Sequence, residues 1–121
     1  MQPAATAADT VIKMTERIVN LSPVDEKDNV SVQNFHNAMT RYVMAKEEHA
    51  QKCKEELLIL WTDYFKPEHV VLFPDLHEKF WKAAKLCSQV KQEVSMEAAT
   101  QLRVAVKEIA DVFEKTHAAT R

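Results

Sequence analysis

The chain of 121 residues contains no glycine. Average usage of about 7% would place roughly eight glycines in a chain of this length. Glycine gives the backbone conformations that phosphate-binding loops, dinucleotide-binding fingerprints, nucleophile elbows and EF-hand calcium loops require. Tight β-hairpins also depend on it. The absence therefore excludes these kinds of site and favours a helical fold.

The remaining composition is that of an ordinary globular protein. Sixteen Lys and Arg against eighteen Asp and Glu give a net charge of −2, and 46% of the residues are apolar. The charge is not clustered, so we expect no nucleic acid partner. The longest apolar run, 57–61, is far shorter than the roughly 20 residues of a membrane span, so we expect no membrane insertion.

The start of the chain has neither the basic region nor the apolar region of a secretory signal. This pattern predicts an intracellular, cytoplasmic location. The length predicts one helical domain over residues 1–121. Residues 1–8 carry no periodic apolar pattern and are predicted to be frayed.

Apolar residues recur at steps of three and four along most of the chain, which indicates amphipathic helices. The predicted helices span approximately 10–21, 31–65, 75–94 and 96–117. Ser22-Pro23 and Lys66-Pro67 end the first two, because a residue before proline avoids the helical conformation. The predicted fold is all-α, an antiparallel bundle of about four helices.

One boundary stays open. Ser95 is suited to cap a separate fourth helix, yet no glycine or proline enforces a turn there. The spacing from Val94 through Ala98 to Leu102 also suits one unbroken helix. The alternative fold is therefore an elongated helical hairpin in which the last two helices are continuous.

Histidines and cysteines are the candidates for metal chemistry. His49 and Cys53 lie four residues apart on one predicted helix face, and His77 and Cys87 could complete a site from the third helix. Such pairs arise by chance, and both cysteines fall on predicted core stripes. We therefore predict no metal, cofactor or catalytic residue, and keep as the alternative a small helical metal-binding protein or enzyme that uses these four residues.

The segment 61–81 is unusually aromatic, since six of its residues are Trp, Tyr or Phe. Connections between helices normally lie in water, and aromatic side chains are enriched at binding interfaces. The stretch 70–73 is therefore either a plug that seals one end of the bundle or a docking surface. The candidate partner-binding residues are Trp61, Tyr64, Phe65, Val70, Val71, Leu72, Phe73 and Trp81.

The missing loop chemistry, the lack of a coherent polar site and the aromatic segment together predict a non-catalytic protein–protein interaction or assembly module, a scaffold and not an enzyme. Its predicted partner is another protein or a second copy of the chain. The second predicted helix is longer than its neighbours can cover, which leaves an apolar end exposed. A homodimer formed through that end is the simplest expectation.

Overall fold

The computed structural model describes residues 1–22 and 25–119, and this part of the chain contains helices and turns but no strand. The helices are α1 (Gln2–Val19), α2 (Asn29–Ile59), α3 (Pro67–Leu72), α4 (Leu76–Gln92) and α5 (Met96–Ala119), with a π-helical turn (Leu60–Tyr64) directly after α2. The predicted all-α helical bundle is confirmed.

Four of the helices form the bundle. Helix α1 packs against α2 and α5, and α4 packs against the same two helices. Helices α2 and α4 are antiparallel: Lys46, in the middle of α2, contacts Lys91 near the end of α4, whereas Trp61, just after α2, contacts His77 at the start of α4. Among the described residues, no helix is long and apolar enough to cross a membrane.

The prediction that residues 1–8 are frayed is wrong. Helix α1 begins at Gln2, and three of its alanines, Ala4, Ala7 and Ala8, are buried in the core. They continue the helical spacing of Val11, which is also fully buried. Alanine carries little apolar surface, so its periodicity is hard to recognise in a sequence, but its small side chain lets neighbouring helices approach closely.

The first turn of α2 is capped by a carboxylate. Asp28 accepts hydrogen bonds from the Val30 amide (3.1 Å) and the Ser31 hydroxyl (2.8 Å). These bonds, the one from Ser31 first, hold the pKa of Asp28 below its ordinary value of 3.8. The helix therefore begins at Asn29, slightly before the predicted Ser31. The first helix, predicted to end at Leu21, ends at Val19.

The chain folds back between α4 and α5. Glu93 is extended, and the Ser95 hydroxyl accepts a hydrogen bond from the Ala98 amide at 3.1 Å. This serine cap starts α5 at Met96 without any glycine. The alternative in which the last two helices are continuous is therefore wrong.

A buried lysine closes the carboxyl end of α4. The Lys46 ammonium donates to the carbonyl oxygens of Glu93 at 2.7 Å and Lys91 at 3.4 Å, and the residue is only 2% exposed. Burial lowers the pKa of this ammonium, against the opposing charges of Glu47 and Glu93. Helix ends commonly use a glycine in the left-handed conformation, but no described residue has a positive φ. The lysine satisfies helix-end carbonyls that would otherwise lack a partner.

Candidate functional site

The path of the chain at one end of the bundle is set by the π-helical turn. The Thr62 hydroxyl in this turn donates to the carbonyl oxygen of Leu58, near the end of α2, at 2.8 Å. Phe65 is then extended and Pro67 begins α3, so the helix predicted over 31–65 changes type at Leu60. Turns of this kind occur frequently at functional sites.

An indole–imidazole pair links the turn to α4. Trp61 Nε1 donates to His77 Nδ1 at 2.9 Å, and the Trp61 ring stacks on Phe80 with centroids 5.7 Å apart. Because an indole N–H can only donate, Nδ1 of His77 is the acceptor. The neutral imidazole therefore carries its proton on Nε2.

A second histidine is held inside the same end of the bundle. His69 is buried, and its Nδ1 accepts a hydrogen bond from the backbone N–H of Lys66 at 3.0 Å. Its ring stacks on Tyr64 and meets Phe65 edge-on. The bond fixes the start of α3 and, as for His77, leaves Nε2 as the protonated nitrogen of the neutral ring.

A chain of hydroxyls ties the π-helical turn to α5. The Thr116 hydroxyl donates to the Phe113 carbonyl oxygen at 2.8 Å. The same hydroxyl oxygen therefore accepts from the Tyr64 hydroxyl, which lies 3.0 Å away. Tyr64 also packs against the Phe113 ring. These contacts fix the turn against the end of α5.

A cleft of about 340 Å³ opens beside these aromatic rings. It is lined by Trp61, Phe65, Lys66, Pro67, Val70 and His77. Its walls are mainly apolar, with one cation and one imidazole among them. The size and lining suit a small ligand with one or a few polar atoms. We call this the aromatic cleft.

The predicted partner-binding residues fall into two groups. Trp61, Phe65, Val70 and Phe73 pack against the core, and Tyr64 is half-buried. Val71 (79% exposed), Leu72 (64%) and Trp81 (57%) face outward. The stretch 70–73 is therefore a plug on one side and an exposed apolar surface on the other.

The alternative metal site is not assembled. His49 directs Nδ1 to the Ala45 carbonyl oxygen at 2.8 Å, while His77 pairs with Trp61. Cys53 and Cys87 are buried against each other. Across residues 1–22 and 25–119, no three His, Cys, Asp or Glu side chains come together as metal ligands.

Sequence reasoning missed two members of this site, His69 and Lys66. One signal was available: His69 lies two residues after Pro67, at the third position of a helix, where a side chain can accept from the N-cap backbone N–H. The contact between Tyr64 and Thr116 joins residues far apart in the chain, and no local pattern predicts it.

Comparison with known proteins gives a consistent result. The family model described as nickel-containing superoxide dismutase matches residues 1–117. The chain is 32% identical over 76 residues to "Superoxide dismutase [Ni]" of Streptomyces seoulensis, covering 63% of this chain and 58% of that protein. It is 38% identical over 52 residues to the protein of the same name from Streptomyces coelicolor, covering 43% and 40%. The alignments thus span little more than half of the first curated relative and less of the second.

Solved structures share the fold. The apo structure of a nickel superoxide dismutase superposes with a TM-score of 0.82 at 24% identity, covering 96% of this chain and 94% of that one. A native structure gives a TM-score of 0.80 at 24% identity, covering 96% and 89%. At this identity the likeness establishes the helical bundle and nothing further.

The function predicted from the sequence is wrong. A non-catalytic scaffold, not an enzyme, was expected, yet the family whose model covers residues 1–117 is named for an oxidoreductase. The missing glycine excludes chemistry that is carried by glycine-rich loops, but it says nothing against chemistry carried by a metal. The match extends over nearly the whole chain, and the chain therefore belongs to the nickel-containing superoxide dismutase family.

Proposed function

We propose that the protein acts on superoxide, as the helical subunit of an oxidoreductase of this family. The observation that carries the proposal is the family match over residues 1–117, together with two curated relatives named as superoxide dismutases. Those alignments cover 58% and 40% of the two relatives. The activity of the relatives is therefore proposed for this chain.

The nickel that the family name implies does not fit the described side chains. Nickel in proteins is held by imidazole, thiolate and other nitrogen or oxygen donors in a compact set. Here both cysteines are buried, and no three donors converge among the described residues. A metal centre that works with this chain would need donors beyond these side chains.

The residues that line the aromatic cleft are suited to attract a small anion. Superoxide is an anion, and Lys66 and His77 are among the residues that line the aromatic cleft. The bond from Trp61 leaves Nε2–H of His77 as a donor. Apolar walls exclude water and strengthen the attraction between an anion and a nearby cation.

The experiment measures superoxide decay by stopped flow, using protein purified without chelators from its native cells grown with nickel, together with any chain that copurifies. We expect decay faster than in buffer, with a rate that falls as salt is added. Lys66→Met should lower the rate by roughly threefold to tenfold, as loss of electrostatic steering does. Lys82→Met is the matched control, since this exposed lysine pairs with Glu78 and is not part of the cleft lining. Decay at the buffer rate would overturn the proposal.

Self-association through the exposed side of segment 70–73 is a second proposal. The apolar side chains of Val71 and Leu72 are largely exposed, and exposed apolar surface favours contact with another chain. Light scattering at tens of micromolar should give the mass of a homodimer, and Leu72→Lys should return the mass of one chain. Val104→Lys, at a similarly exposed position on α5, is the control. A wild-type mass of one chain would refute this proposal.

The cytoplasmic location stays a prediction.

A further inference from the structure

Two cysteine thiols meet in the core where α2 packs on α4. Cys53 and Cys87 are both free and buried in one core cluster, with exposures of 0% and 1%, and a hydrogen bond joins the two residues that follow them, Lys54 and Ser88. The activity proposed above makes no use of them. Cysteine often packs as a small hydrophobe, but two thiols in contact are also one oxidation away from a covalent link.

A groove on the surface has one of the two cysteines in its lining. It has a volume of about 260 Å³, and Cys87 forms part of its wall whereas Cys53 does not. Lys54 also lines the groove and donates from Nζ to the Ser88 hydroxyl at 3.1 Å. Cys87, although only 1% exposed, is therefore the one of the two cysteines that borders the groove, and peroxide would approach the pair from its side.

The electrostatic environment distinguishes the two thiols in the same way. The hydrogen bond from Cys53, helped by the charge of Lys54, lowers the pKa of Cys87 against the effect of burial. The same contact, together with burial, raises the pKa of Cys53. Thiolate is the reactive form of cysteine, so the cysteine that lines the groove is also the one that ionises first.

We propose that Cys53 and Cys87 form a dithiol site that hydrogen peroxide oxidises. The Cys87 sulfur attacks one peroxide oxygen and the O–O bond breaks, which gives a sulfenic acid on Cys87 and one water. The Cys53 sulfur then attacks the Cys87 sulfur, and the sulfenic oxygen leaves as a second water. Two thiols are oxidised by two electrons in total, and one peroxide is reduced. The product is a disulfide that joins α2 to α4.

The test treats the purified full chain with a small excess of hydrogen peroxide and follows intact mass. We expect the loss of two hydrogen atoms per chain, a Cys53–Cys87 link in peptide maps, and a higher thermal midpoint, because the link restricts the unfolded chain. Cys53→Ala should stop at a sulfenic acid on Cys87 that dimedone traps. Cys87→Ala should leave Cys53 reduced for at least ten times longer.

Core variants also change packing, so a groove variant provides an independent readout. Lys54→Met leaves both thiols in place and should slow the first step severalfold, whereas Lys52→Met, an exposed lysine on the same helix, should not. Equal rates for Lys54→Met and Lys52→Met would overturn the role of the groove. Thiols that oxidise no faster than in the urea-unfolded chain, or that link only between chains, would overturn the site itself.

Discussion

The cap that Lys46 places on α4 gives a sharp test of how this chain ends helices without glycine. In Lys46→Met the side chain keeps its length and its helix propensity but loses the charge and the donors. The carbonyl oxygens of Glu93 and Lys91 then lose a partner. We expect the free energy of unfolding to fall.

The magnitude follows from three contributions. A hydrogen bond to a charged group is worth about 1.5–3 kcal/mol, and the 2.7 Å contact to Glu93 should lie in that range, whereas the 3.4 Å contact to Lys91 adds little. A cation at a helix carboxyl end adds about 0.5 kcal/mol. The cost of burying the ammonium, which also lowers the pKa of Lys46, offsets part of this gain. The net loss should be about 2 kcal/mol.

Urea unfolding followed by far-UV circular dichroism measures the effect. With a denaturant dependence of about 1.5 kcal/mol per molar, a loss of 2 kcal/mol shifts the midpoint by about 1.3 M. Lys52→Met, an exposed change on the same helix, should shift the midpoint by less than about 0.3 M. Equal shifts in the two variants would show that water replaces the ammonium at no cost, and would refute the reasoning.

Three further predictions test other contacts. The pKa of Asp28 is lowered in the folded state, so its carboxylate contributes stability above pH 3.8 that is lost as pH falls through the folded pKa. The difference in urea midpoint between wild type and Asp28→Asn should therefore shrink on acidification. Ser95→Ala removes the cap of α5 and should cost about 1 kcal/mol in urea unfolding, and no change would contradict its role. Phe73→Ala should cost about 2 kcal/mol in the same assay, whereas Leu72→Ala should stay within about 0.5 kcal/mol, and the reverse order would refute the division of segment 70–73.

The helices with large apolar side chains were predictable. The stripe of α4, which includes Leu76, Phe80 and Val90, is buried as its spacing indicates. Such side chains gain enough from burial to fix the face of a helix. The alanines at the start of α1 gain little individually. Ala8 is buried because neighbouring helices cover it, and that information is not local.

The position of the cleft is easier to predict from the sequence than its contacts. The aromatic residues are dense at the end of the bundle where the cleft lies. The pairing of Trp61 with His77 depends on the π-helical turn, which has no simple sequence signal. The enzyme family could not be inferred from metal-ligand residues, because the described part of the chain contains no cluster of them.

The π-helical turn at 60–64 has a consequence for insertions and deletions. Such a turn holds one residue more than an α-helical turn, and one residue corresponds to a rotation of about 100° about the helix axis. Deletion of Thr62 would therefore turn Tyr64 away from Thr116 even though every aromatic side chain is kept. This end of the molecule depends on the exact number of residues as much as on their identity. A change of length there should be tolerated less well than most single substitutions.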